Sequence, residues 1–95
     1  MKTKNHHGNE IDTIRNERGD RVFRMALAHL FDVGMLHVTE KNVENTKKSI
    51  MAEEETGFPI MTKAFKCELL DIALELTQFS LWDILYYVKH EVHIG

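Results

Sequence analysis

From Met61 to Phe79, apolar side chains recur at three- and four-residue steps on two faces at once. Met61, Phe65, Leu69, Ile72, Leu76 and Phe79 form one stripe; Ala64, Cys67, Leu70 and Leu74 form a second. A helix that is apolar on two sides must be packed on two sides. The spacing predicts a central helix from Pro59 or Ile60 to Gln78, which the rest of the chain has to cover. The following segment carries the strongest local helix start. Ser80 is a cap with Asp83 three residues on, and Phe79 and Ile84 hold the positions of a hydrophobic staple. Lys89, His90 and His93 fall near its end, where cations suit the helix dipole. Of the 38 residues from Phe58 to Gly95, 22 are apolar, against 19 of the 57 before them. The last two helices are therefore expected to form a hydrophobic hairpin.

Upstream, Asp20 reads as an N-cap, and behind it Val22, Met25, Ala26, Leu30 and Val33 keep helical spacing, widened by Phe23, Leu27 and Phe31. Gly34 takes the usual C-terminal stop position. Ile11 and Ile14 lie either on a short preceding helix or on the same helix continued through Gly19, at a cost of about 1 kcal/mol. Met35 to Val38 is a short apolar connector, read as extended. Thr39 caps the next helix, 40–55, with Val38 and Val43 as its staple. That helix is thin in apolar residues and ends in Glu53-Glu54-Glu55, the wrong charge for a helix C-terminus. It is expected at the periphery. Gly57-Phe58-Pro59 is a break. Residues 1–9 read as a flexible N-terminus and 10–95 as a single helical domain. The expected class is all-α, a small four-helix domain.

A chain of 95 residues with 43% hydrophobic and 28% charged residues builds one modest core, too small for two domains or a large cofactor cleft. One cysteine, Cys67, gives no internal disulfide, and no secretory or membrane-spanning stretch is present, so the expected compartment is the cytoplasm. No Walker loop or Gly-x-Gly-x-x-Gly calls for a nucleotide, and no cofactor is expected. Paired acids Glu68, Asp71 and Glu75 read as a solvated edge, and Cys67 as a buried thiol. His90 and His93, or His29 and Asp32, have the spacing of metal-ligand pairs, but no Cys pair or His-Glu-x-x-His accompanies them, and no metal is assigned. These readings exclude an obvious active site and make the chain non-enzymatic.

Two features invite partners. Arg15, Arg18, Arg21 and Arg24 recur every three residues and would form a basic strip on a continuous helix, suited to phosphate or carboxylate groups. Glu17 and Arg21, and Asp20 and Arg24, are spaced to neutralise it, and the net charge of −3 gives nucleic acid no general attraction. A DNA-binding regulator using these arginines is the disfavoured alternative. A helix-turn-helix with Ser80–His90 as the reading helix also fails, because that segment carries aromatic packing residues and a single lysine. The second feature is that segment itself. Phe79, Trp82, Leu85, Tyr86 and Val88 leave its helix apolar nearly all round, more than a small monomer can bury. Trp and Tyr are enriched at interfaces, and a symmetric homodimer is the commonest way to cover such a face. The expected function is a non-enzymatic regulatory or adaptor protein, acting on a protein partner as a homodimer.

The run Val38-Thr39-Glu40-Lys41-Asn42-Val43, with Glu55-Thr56 and Leu70-Asp71-Ile72-Ala73-Leu74, resembles a segment of small enterobacterial helical connector proteins that modulate biofilm formation and two-component signalling. It covers less than half of the chain and carries no catalytic motif. The second helix is far more polar than that pattern, and no family is assigned on it.

Overall fold

The structure, a computed structural model, describes residues 7–54 and 61–94, with side chains described as far as His90. Among the described residues it is all-helical. The helices are α1 (Gly8–Arg18), α2 (Asp20–Val33), α3 (Glu40–Ala52), α4 (Lys63–Leu76) and α5 (Leu81–Ile94), with a 3-10 turn at Met35–His37. Five helices stand where four were expected because the chain breaks at Gly19. Its φ of 105° and ψ of 140° lie in a region that side-chain-bearing residues avoid. The Gly19 N–H donates to the Arg15 carbonyl at 2.9 Å, closing α1, and its carbonyl accepts from the Phe23 N–H at 3.1 Å, opening α2. Ile11 and Ile14 therefore sit on a separate helix, and both are buried. Asp20 is not the cap; it is the first residue of α2, and its carboxylate accepts from Arg24 Nε at 2.7 Å.

Gly34, at φ 95°, ends α2 at the expected place. The connector after it is not extended. His37 N–H donates to the Gly34 carbonyl at 2.9 Å and Val38 N–H to the Met35 carbonyl at 3.2 Å, which winds Met35–His37 into its 3-10 turn. Thr39 caps α3 as read, its hydroxyl accepting from the Asn42 N–H at 3.2 Å, with Val38 and Val43 buried as the staple. Val43 is the buried residue of α3, so this helix is peripheral. It stops at Ala52, short of Glu55. The Lys63 ammonium, from the first turn of α4, donates to the carbonyls of Met51 and Glu53. A cation from another helix thus serves the end of α3, where Glu53 and Glu54 have the wrong sign.

Thr62 caps α4 by accepting from the Phe65 N–H at 3.1 Å. This start is later than Pro59 or Ile60, which, like Gly57 and Phe58, lie outside the described residues. α4 is the central helix that its two stripes require. Leu69, Leu70, Ile72, Ala73 and Leu76 are buried, with α2 packed on one side and α3 on the other. Ser80 caps α5, accepting from the Asp83 N–H at 3.1 Å, and Phe79 and Ile84 are buried as its staple. The two helices do not close into the expected hairpin. The main contacts of α4 are with α2 and α3, and those of α5 are with α1. Ile11, Phe23, Leu30, Ile72, Leu76 and Ile84 are the largest fully buried side chains, so every helix but α3 contributes to the centre of the core.

Candidate functional site

The four arginines do not form one strip. Gly19 divides Arg15 and Arg18 on α1 from Arg21 and Arg24 on α2, and each has a partner within the chain. Arg15 donates to Asp12 Oδ1 at 2.9 Å and lies over the Tyr87 ring, 5.9 Å from its centroid. Arg18 donates to Glu75 at 3.3 Å and Arg24 to Asp20. Arg21 is placed over the ring of Phe65, 5.5 Å from its centroid, and not on Glu17. Arg24 with Asp20 is the one expected pair found among these contacts. The acids of α4 are likewise more than a solvated edge. Asp71 accepts from Lys47 Nζ at 2.9 Å, which ties α3 to α4 and raises the lysine pKa through that hydrogen bond. Glu75 accepts from Arg18, tying the end of α1 to α4.

An unexpected polar hub joins α1 to α5. The part-buried Tyr87 hydroxyl donates to Asp12 Oδ1 at 2.8 Å, and Asn16 Nδ2 donates to Asp12 Oδ2 at 3.1 Å. Burial, then the hydrogen bond to this carboxylate, holds the Tyr87 phenol above its ordinary pKa. Asp12 was not legible as a partner because the contact spans 75 positions. The one available signal was Tyr87 itself, a phenol on an apolar helix that needs an acceptor when buried. Close by, His7 precedes α1 with Nδ1 2.6 Å from Glu10 Oε1 and its ring 5.6 Å from that of Phe79. The hydrogen bond to Glu10, with the Asp83 charge adding, raises the His7 pKa.

The apolar group expected at an interface separates into two sets. Phe79 is 6% exposed and belongs to the core, where it serves as the α5 staple. Val88 is partly buried against the core and Tyr86 half-buried, its ring 4.0 Å from that of His90. Trp82 and Leu85 are 64% and 46% exposed, and Leu81 beside them is 48% exposed. The surface extends further than the sequence indicated. Leu36, on the 3-10 turn, is 91% exposed, and Phe31 and Val33 at the end of α2 are exposed although their spacing read as core-facing. The packing partners of α2 are α1, α4 and the 3-10 turn, and these leave its last turn uncovered. Val33, Met35 and Leu36 face Leu81 and the edge of Phe79 across a groove of about 630 Å³.

Cys67 is half-buried rather than buried; it borders a groove with Lys47, Lys48 and Met51. His29 and Asp32 line a different groove, between α2, α3 and α4. Among the described residues no three His, Cys, Asp or Glu side chains cluster as metal ligands, and no helix is long and apolar enough to cross a membrane. The side chains of Val92 and His93 lie outside the described residues. Comparison with family models, curated proteins and solved structures finds no match to this chain, so its short segmental resemblance carries no family assignment.

Proposed function

We propose that this chain is a non-enzymatic regulatory or adaptor protein that works through protein–protein contact, as a homodimer in the cytoplasm. The observation that carries this reading is the exposure of Val33, Leu36 and Leu81 around one apolar groove, with Trp82 and Leu85 exposed on the same helix as Leu81. Scattered exposed apolar side chains are ordinary, but several around a shared concavity are the pattern of a contact surface. The internal partners of Arg15, Arg18, Arg21 and Arg24 favour a protein partner over nucleic acid, because each guanidinium would have to leave a contact to reach a phosphate.

Trp82 is the sole tryptophan and stands next to Leu81 of the groove, so it reports on association there. Its emission is expected to shift to the blue as the protein is concentrated, and Leu81→Glu is expected to abolish the shift. Emission independent of concentration in both proteins would refute the reading.

A further inference from the structure

A second concave surface lies away from the Leu36 groove. Helices α2, α3 and α4 border an open groove of about 560 Å³, within the roughly 300–1,000 Å³ range of small-molecule sites. Leu69 and Leu70 are buried and form its base, with the partly buried Met25 and Ile50 at its sides. Such a lining favours an apolar body, and methionine adapts to irregular shapes. Three charged or ionisable side chains also line it: His29 and Asp32 from α2, and Lys66 from α4.

These three differ from the other polar groups at the helix seams. Lys47 is tied to Asp71, Lys63 to the end of α3, and Arg18 to Glu75. Thr46, on the same groove, already donates to the Asn42 carbonyl at 2.8 Å. Among the described residues, His29, Asp32 and Lys66 make no side-chain hydrogen bond or ion pair. Their depths also differ. Asp32 is exposed, so its carboxylate is solvated; Lys66 and His29 are half-buried. The groups on this lining that can donate are an ammonium, which only donates, and an imidazole. An apolar base beneath unengaged donors matches an amphipathic anion, with the body on Leu69 and Leu70 and the head group on Lys66.

We infer that the α2–α3–α4 groove binds a small amphipathic monocarboxylate, its apolar body on Met25, Ile50, Leu69 and Leu70 and its carboxylate on Lys66 with His29. Asp32, on the same lining, disfavours a dianion. The site is independent of the homodimer reading, since none of these residues borders the Leu36 groove.

The test uses the full chain with decanoate, decan-1-ol and decyltrimethylammonium as probes matched in chain length, followed by calorimetry and by amide and methyl NMR. Decanoate is expected to bind saturably, one per chain, and to shift the signals of Met25, Ile50 and Leu69 while leaving Leu36 and Leu81 in place. It is expected to bind about tenfold or more tightly than the alcohol, the discrimination a charge-assisted hydrogen bond supplies. Lys66→Met is expected to remove that preference and Lys66→Arg to keep most of it, with circular dichroism showing both folded. Equal affinity for acid and alcohol, or unchanged preference in Lys66→Met, would overturn the head-group assignment. Shifts centred on Leu36 and Leu81, or no saturable binding of decanoate, would overturn the site.

Discussion

Tyr87→Phe removes one oxygen atom from the contact between α1 and α5 and leaves the ring in place. In the folded chain Tyr87 is buried and its part-buried hydroxyl donates to the Asp12 carboxylate at 2.8 Å. Hydrogen bonds to charged groups contribute about 1.5–3 kcal/mol, and two features of the structure set the expected value at the low end. Asp12 is half-exposed, and it keeps Arg15 and Asn16 as donors when the phenol is gone, so the carboxylate is not left unsatisfied. The expected loss is about 1.5 kcal/mol, or roughly 6–12 °C in Tm for a domain of this size. Asp12→Ala is expected to cost more, because it strands the part-buried hydroxyl and releases Arg15 together. The assay is urea unfolding of both single variants and the double variant. The midpoint is expected to fall without a change in slope, and the cycle to show coupling of about 1 kcal/mol or more. A Tyr87→Phe protein as stable as the parent, with additive single effects, would refute the claim that this contact holds α5 to α1.

Other perturbations test separate links. Gly19→Ala places a side chain on a backbone at φ 105° with open space around it, so the cost is conformational alone; about 1–3 kcal/mol is expected in the same unfolding assay. The His7 pKa is raised in the folded chain, so its stabilising contribution is complete below the unfolded value of 6.5 and is lost as pH rises through the folded value. An NMR titration should place the His7 midpoint above 6.5, and Glu10→Gln should bring it down, since the Glu10 hydrogen bond is the largest cause. A midpoint at or below 6.5 would contradict the observed pairing.

Much of the local structure was written in short-range signals. Thr39 and Ser80 cap the helices they were read to cap, and the staples Val38 with Val43 and Phe79 with Ile84 are buried, because caps and staples depend on neighbours within five positions. The two stripes on α4 gave its central position for a similar reason: helical spacing alone assigns residues to faces. What those faces touch is not local. The hairpin expectation took chain adjacency as packing, yet α2 and α3 occupy α4, and α5 is drawn to α1, where Tyr87 finds Asp12. Phe31 and Val33 kept helical spacing with Leu27 and Leu30 and still emerged exposed, since periodicity does not say where a covering helix ends. Leu36 was hidden in a connector for the converse reason. A residue in a turn has no face to be read from, and its 91% exposure follows only from the 3-10 geometry after Gly34.

Association through the Leu36 groove is the central claim, and absolute mass by light scattering on a size-exclusion column over a hundredfold concentration range tests it most directly. The parent chain of 11.1 kDa is expected to run at twice its monomer mass at the upper concentrations, with Leu36→Glu at the monomer mass throughout and an unchanged helical spectrum. A parent protein monomeric at every concentration, or a Leu36→Glu variant that dimerises like the parent, would contradict it.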